Sequence, residues 1–462
     1  MSINHSGAGR ERIIEALKSA KKSIFFLGIG GAGQSSLARL THTLGYAVAG
    51  SDRARTDVTD ALIREGIEVF IGHRGENYSH QSILVYTLAV DADTPELLSA
   101  REVGALVISR AELLGALMCF YKSPIGISGT HGKSTTTAML SHVFKRAGLS
   151  YTTISGAPLL DSGALYIGGE DYLIYEACEY RDSFLHFMPR TQVITSVQLD
   201  HTDYFMNIEQ LERSFCLACG NAERVIVNID GEVSQKIAKE LGAITYGERA
   251  DADFSYVILG QDEWGSDFSV MHRGEILGDF RISQIGAHNV ANATAAIAVS
   301  YIYNIKVENI QNALREFTGI ERRIERLGSF HHRPLFYDYA HHPTEIEATL
   351  NTLKGIYGEV TVVFAPHTYS RTASLWCDFV RVLSRFDTCV LVPIYPAREE
   401  PIEDITSDRL SQEILGSAVC LEQSAVMPYV RDNTNGAIVL MGAGDLNIVK
   451  NAFLQSKLYI KE

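Results

Sequence analysis

The chain has 462 residues, enough at roughly 150 per domain for about three domains, each with its own core, so a small disulfide-stapled scaffold is excluded. Its 41 Lys and Arg against 55 Asp and Glu leave a net charge of −14, which argues against nucleic acid or an anionic membrane as a partner but permits a local basic pocket. With 46% hydrophobic and 21% charged residues, the composition is that of a folded globular protein.

The first 20 residues carry Arg10, Glu11, Arg12, Glu15 and Lys18 and no apolar stretch of signal-peptide length, and no later run approaches the roughly 20 apolar residues of a membrane span. A cytoplasmic protein is expected. Its seven Cys are irregularly spaced, which suits a reducing compartment. Cys216 and Cys219 form a C-x-x-C pair, but Phe215 and Leu217 beside them point to a core helix rather than a zinc site.

Ser23–Leu27 is a short apolar run that meets Gly28-Ile29-Gly30-Gly31-Ala32-Gly33, followed by a helical stretch over 34–44 and a second apolar run ending at Gly50-Ser51-Asp52. This predicts strand, glycine-rich turn, helix, strand. Apolar runs at 83–90 and 105–108 continue the alternation, and a first domain is predicted over 1–122, ending near Pro124. A new strand from Ile125 then leads into Gly129-Thr130-His131-Gly132-Lys133-Ser134-Thr135 and a helix. Strands are predicted at 171–177, 192–199 and 224–228, an Ala-rich helix at 287–299 and a charged connector at 319–326, closing a second domain over 123–326. Strands at 335–339, 361–364, 390–394 and 437–441 predict a third α/β domain over 327–462. The acidic stretch 396–404 reads as loop. Strands alternating with helices imply mostly parallel sheets, whose ligands sit at the carboxyl ends of the strands.

Gly28, Gly30 and Gly33, with Asp52 after the second strand, have the spacing of a dinucleotide fingerprint, in which glycines let a diphosphate approach a helix N-terminus. NAD or a UDP-sugar satisfies it equally. The Gly129–Ser134 segment is more specific: a Lys and a hydroxyl at a glycine-lined helix start supply phosphate contact, charge and a Mg²⁺ ligand, although Ile127 stands where a strict Walker A has its first Gly. Glu176 and Glu179 follow one predicted strand, and Asp200-His201-Thr202-Asp203 another. Glu176 and His201 are the metal candidates beside the phosphates; Glu179 and Asp203 read rather as loop-capping acids.

These segments together resemble the Mur ligase family. The resemblance rests on FLGIGGAG and GSD in the first domain, on GTHGKSTTT, YEACEYRDSFLHF, LDHTDYF, GAHNVANATAA and GIERRIERLG in the second, and on YDYAHHPTEI, FAPHTYSRT, IYPARE and MGAGD in the third. It implies a Rossmann-like UDP-binding domain, a central P-loop-type ATPase domain and a Rossmann-like C-terminal domain that closes over the site. Gly28, Gly30, Gly31, Ala32, Gly33 and Asp52 would then bind the UDP-sugar, and Gly129, Thr130, His131, Gly132, Lys133, Ser134 and Thr135 the phosphates of ATP. Ser134, Glu176 and His201 would hold Mg²⁺. Asn289 and Asn292 would contact the adenine and ribose, Arg322 the phosphates and Asp338 the ATP ribose, with His341 and His342 nearby. Arg371 would meet the incoming amino acid or the γ-phosphate.

The implied activity is ATP-dependent joining of L-alanine to the lactyl carboxylate of UDP-N-acetylmuramate, by a monomer or homodimer, with Lys133, His201, Arg322 and Arg371 at the chemistry. FAPHTYSRT favours this branch over a sister activity that attaches a tripeptide to the same sugar nucleotide. Three departures from the family pattern stand out: Thr368 in place of a common Arg, Thr87-Leu88-Ala89-Val90 in place of a Ser-Ser-Ala-Ile segment, and no Lys between Lys145 and Lys236 to be carbamylated. The rival readings are an NAD-dependent oxidoreductase, which leaves the Lys133 loop unexplained, and a nucleotide-binding ATPase without ligase chemistry.

Overall fold

The structure, a computed structural model, describes residues 7–19, 23–79, 81–87, 90–159, 163–200, 204–397 and 399–461. Three α/β domains with mostly parallel sheets follow one another. In the first, β1 (Ser23–Leu27), β2 (Ala47–Asp52), β3 (Glu68–Ile71), β4 (Ile83–Tyr86) and β5 (Leu106–Ser109) form an all-parallel sheet in the order β3-β2-β1-β4-β5. The order reverses direction at β1, so the crevice beyond its carboxyl end opens at Gly28–Gly33, where such sheets hold their ligands.

The central domain adds β6 (Ser123–Ser128), β7 (Tyr151–Leu159), β8 (Gly163–Ile167), β9 (Tyr172–Glu176), β10 (Thr191–Ile194), β11 (Arg224–Asn228) and β12 (Ile244–Gly247). Adjacent strands run β12-β11-β10-β6-β9-β7-β8 and are parallel except for the β7–β8 hairpin. Both faces are covered, so strands such as β6 and β10 are buried along their whole length. Pro124 lies inside β6, which starts at Ser123 directly after Lys122 with no intervening loop.

The chain forms two compact units, and the first two domains share one of them. The physical reason is a common apolar core. Leu113, Leu114 and Leu117 of the helix Arg110–Leu117 join Ile24 and Leu37 of the first domain and Phe184, Phe187 and Phe215 of the second in one buried cluster. At about 25 cal/mol per Å² of apolar surface, interlocking side chains of this size hold the domains together.

Three strands that sequence periodicity did not register, β13 (Phe254–Asp262), β14 (Gly265–His272) and β15 (Glu275–Ile282), are divided between the two units. The second unit carries β16 (Glu325–Phe330), β17 (Arg333–Asp338), β18 (Val360–Phe364), β19 (Thr388–Leu391), β20 (Ser417–Cys420), β21 (Ala437–Met441) and β22 (Tyr459–Ile460), in the order β20-β19-β18-β21-β17-β16-β22. Five of these are parallel, and β16 runs antiparallel to β17 and β22. Part of the expected connector 319–326 is therefore strand. Cys216 and the buried Cys219 lie on the helix Ile208–Cys219, which packs Phe215 into the core but leaves Leu217 exposed.

Candidate active site

Two glycine-rich turns stand at the carboxyl ends of β1 and β6 in the same unit. In the first, Gly28 takes φ 75° and donates its N–H to Ser51 O at 2.8 Å, Ile29 donates to the same oxygen, and Gly31 precedes the helix Ala32–Thr43. Gly30 donates to Asp52 Oδ2 at 2.8 Å, so the acid at the end of β2 holds the turn's shape, with its other oxygen bonded only weakly, to Ala54 N at 3.4 Å. Space explains the glycines here. A Cβ on Gly30 would meet Asp52 Oδ2 at 2.9 Å, and one on Gly33 would meet Arg110 Nη1 at 2.6 Å.

The second turn is stitched to the chain leaving β10. Thr130 N–H donates to Ser196 O at 2.9 Å, His131 N–H to Ser196 Oγ at 2.9 Å, and Thr130 Oγ1 to Gln198 O at 2.9 Å. β10 ends at Ile194 rather than continuing to 199: Thr195 N–H still donates to Ser128 O at the end of β6, but from Ser196 onward the backbone and hydroxyl groups serve the loop. Gly132 at φ 85° then turns the chain into the helix Lys133–Arg146. Such a glycine-flanked helix start offers amide hydrogens and a partial positive charge to an anion.

Charged groups converge on this turn. Lys133 Nζ donates to Thr130 O at 3.2 Å, to Gly129 O, and to both oxygens of Glu179 at 3.0 and 3.2 Å. Burial opposes the ammonium charge, but Glu179, with Cys178 and Glu176 behind it, outweighs burial and raises the Lys133 pKa. Ser134 Oγ donates to Glu176 Oε2 at 3.0 Å, while Ser155 Oγ, at 2.8 Å, and Gly156 N–H donate to Oε1. Glu176 and Ser134 thus pair a carboxylate and a hydroxyl at the phosphate turn, a hard-oxygen donor set that fits Mg²⁺. Asn292 is buried, and its Oδ1 accepts from Thr136 Oγ1 at 3.3 Å on the first turns of the phosphate-loop helix. His201 and Asp203 lie outside the described residues.

Glu179, expected only to cap a loop, is the partner of Lys133. Its position depends on the turn after β9, where Arg181 and Asp182 take φ 51° and 56°. Non-glycine residues there are strained, and Asp182 is held by Tyr204 OH at 2.5 Å and by Ser214 Oγ. Neither the strain nor the pairing leaves a mark in local sequence spacing.

In the second unit the expected residues gather around the carboxyl end of β17. Asp338 is buried, accepts from Thr349 Oγ1 at 2.5 Å and from Ala340 N at 3.3 Å, and burial raises its pKa. Arg322, at φ 58°, stacks its guanidinium over Tyr337 and Tyr339 at 4.9 and 4.6 Å and donates to Gly442 O at 2.7 Å. His341 Nδ1 lies 3.0 Å from Tyr339 O, and His342 caps the helix Pro343–Tyr357. Arg371 Nη1 lies 3.3 Å from His367 Nδ1, and His367 stacks on Tyr395. Burial, then Arg371 and His341, push the His367 pKa down to about 4, so its ring is neutral. Asn289 is buried and donates to Ile285 O at 2.9 Å.

Comparison with known proteins places these features in a family. Residues 23–122 match the family described as "Mur ligase family, catalytic domain", 127–300 "Mur ligase middle domain" and 322–453 "Mur ligase, glutamate ligase domain". The chain is 35% identical to the UDP-N-acetylmuramate--L-alanine ligase of Clostridium perfringens, over 96% of this chain and 99% of that one. It is 38% identical to the like-named protein of Caldicellulosiruptor saccharolyticus, over 92% and 96%. Among solved structures, the UDP-N-acetylmuramate-alanine ligase of Thermotoga maritima superposes with a TM-score of 0.79 at 25% identity, covering 94% of this chain and 98% of that one. A murein peptide ligase from Psychrobacter arcticus shares the fold, with a TM-score of 0.68 at 22% identity and coverage of 94% and 98%. The oxidoreductase reading of the first turn finds no support among these relatives. The chain belongs to the Mur ligase family.

Proposed function

We propose that this enzyme joins L-alanine to the lactyl carboxylate of UDP-N-acetylmuramate at the expense of ATP, in peptidoglycan precursor synthesis in the cytoplasm. The observation that carries the reading is the presence of two nucleotide turns in one compact unit, of which only the second has the Lys133, Ser134 and Glu176 set suited to phosphoryl transfer. The first turn is then left for the diphosphate of the sugar nucleotide. Domain limits near 122 and 326 accompany this reading, supported by the separate family matches over 23–122, 127–300 and 322–453. Among the described residues no helix is long and apolar enough to cross a membrane.

Joining a carboxylate to an amine in water is uphill, so the carboxylate must be activated. In the proposed reaction a lactyl carboxylate oxygen attacks the γ-phosphorus of ATP, the bond to the β-γ bridging oxygen breaks, and ADP leaves. The amine of L-alanine, having lost its ammonium proton, attacks the acyl carbon, and the tetrahedral intermediate collapses with loss of inorganic phosphate. Positioning and charge neutralisation carry most of this chemistry. Lys133 binds the phosphates, with Gly129, Thr130, His131, Gly132 and Thr135 shaping the turn. Ser134 and Glu176 hold Mg²⁺, with His201, and the metal supplies charge neutralisation at the phosphates. Asn289 and Asn292 contact the adenosine, Asp338 the ribose, Arg322 the phosphates, and Arg371 the amino acid or γ-phosphate.

Phosphate release with UDP-N-acetylmuramate, ATP and Mg²⁺ tests the reading, with L-alanine, glycine, L-serine and the tripeptide offered in turn. L-alanine is expected to give the highest kcat/KM. Release with the tripeptide alone would move the enzyme to the peptide-adding branch, and release without any sugar nucleotide would make it an ATPase.

A further inference from the structure

Arg110 belongs to none of the motifs above, yet its side chain lies against the first glycine turn. It is the first residue of the helix Arg110–Leu117, whose start is fixed by a reciprocal cap: Glu112 N–H donates to Ser109 Oγ at 3.2 Å, and Ser109 N–H to Glu112 Oε2 at 2.7 Å. The helix presses directly on the segment Tyr180–His186 just after Glu179. At Gly115 a Cβ would sit 3.0 Å from the carbonyl carbon of His186, and Gly115 O accepts from Arg10 Nε at 3.2 Å. So placed, the Arg110 side chain packs over Gly33 in the first turn of the helix Ala32–Thr43. The position of a Gly33 Cβ is 2.6 Å from Arg110 Nη1 and 3.0 Å from its Cδ. Burial and Glu179 push the Cys178 thiol pKa up, and the Arg110 guanidinium opposes them only weakly.

Among the described residues Arg110 is partly buried and forms neither a hydrogen bond nor an ion pair. The nearest acid of the glycine turn, Asp52, is committed to Gly30 N–H. In a chain with a net charge of −14, this places a guanidinium that has no ion pair among the described residues over the start of the helix Ala32–Thr43. A guanidinium matches phosphate oxygens with two parallel N–H donors, and ordering by the helix cap and the Gly115 contact reduces the entropy lost on binding.

We propose that Arg110 is a substrate-binding residue that clamps the diphosphate of the sugar nucleotide against the Gly28–Gly33 turn. The proposal rests on the ligase reading given above. Its test uses the full-length enzyme with Arg110→Met, which keeps an unbranched apolar stem over Gly33, and Arg110→Lys. Dissociation constants for UDP and for UDP-N-acetylmuramate are measured by calorimetry, KM for ATP by phosphate release, and Tm by calorimetric scanning. Loss of a charge-assisted contact is expected to weaken UDP and UDP-N-acetylmuramate by a similar factor of about 10–100 in R110M, with partial recovery in R110K. KM for ATP and Tm should stay near wild type. Unchanged UDP binding in R110M would overturn the proposal, whether or not UDP-N-acetylmuramate is affected, as would a parallel loss of ATP affinity and Tm, which marks a structural role. Wild-type enzyme that bound neither uridine compound would instead overturn the ligase reading itself.

Discussion

Lys133 Nζ meets both carboxylate oxygens of Glu179, at 3.0 and 3.2 Å, with only 2% of the Glu179 side chain exposed. A carboxylate buried this deeply needs its cation, and breaking such a pair costs about 3–5 kcal/mol. Glu179→Ala is therefore expected to lower stability by that order, measured by denaturant unfolding. Glu179 also outweighs the burial that would otherwise depress the Lys133 pKa. A lysine whose folded pKa is raised keeps the associated stability at all pH values below its unfolded pKa and loses it only as pH rises through the folded value, above the model-compound 10.5. In Glu179→Gln burial dominates and the lysine deprotonates earlier. The kcat/KM for ATP in that variant should fall on the alkaline side at a lower pH than in wild type, and superimposable pH profiles would contradict the account. Lys133→Ala should reduce ADP formation by about 10²–10³-fold.

Gly129 has φ 132°, and a Cβ there would lie 2.8 Å from Ser196 N and 2.9 Å from Ser196 O, backbone atoms of which the oxygen accepts from Thr130 N–H in the turn. Nothing flexible can yield. Gly129→Ala is expected to cost about 2–4 kcal/mol by adding strain to overpacking, and to weaken ATP binding. Gly148 is the control: its φ is 70° and a Cβ would meet nothing within 4 Å, so Gly148→Ala should cost about 1–2 kcal/mol and leave ATP affinity unchanged. Equal losses in the two variants would show that the contact with Ser196 is unimportant.

The contrast between these glycines shows where sequence reading succeeds. Turns that obey local rules, such as Gly28–Gly33 between β1 and its helix, follow from spacing alone, and β11 and β21 begin and end where their apolar runs do. Positions fixed by tertiary contact were not legible. Glu179 reaches Lys133 only because Asp182 holds an unfavourable turn, and Arg110 reaches Gly33 only because Gly115 lets two backbones touch. Ser196 and Gln198 read as strand because they continue a strand-like run, yet their hydrogen bonds go to Thr130 and His131. The β13–β15 strands were missed since their long exposed stretches, as at Val257 and Leu259, carry no clean alternation.

Glu176 accepts from Ser134, Ser155 and Gly156, and two of these donors orient the carboxylate while the third is itself a metal-type ligand. Positioning of this kind is worth 10–100-fold in metal affinity in other sites. Ser134→Ala is expected to raise the Mg²⁺ concentration for half-maximal ADP formation by roughly 10-fold, and Ser155→Ala by less. Glu176→Gln, which keeps the size and loses the charge, should raise it the most. An unchanged Mg²⁺ requirement in all three variants would remove Glu176 and Ser134 from the metal site.

His367 tests the electrostatics of the third domain. Its pKa is pushed down to about 4 by burial first and by Arg371 second, and its neutral Nδ1 is poised to accept from Arg371 Nη1 at 3.3 Å. The unfolded chain, with histidine near 6.5, binds more protons than the folded one between pH 6.5 and about 4, so this group lowers stability as pH falls through that window. Partial exposure limits the effect to about 1–2 kcal/mol. Stability measured at pH 7 and pH 5 should therefore differ less in His367→Asn than in wild type. NMR titration gives the sharper measurement. The His367 ring should stay neutral through pH 5.5 in wild type, and Arg371→Ala, by removing a neighbouring cation, should move its pKa upward toward 6.5. A wild-type ring that titrates near 6.5 would mean that neither burial nor Arg371 acts on it, and the neutral acceptor assigned to Nδ1 would be lost.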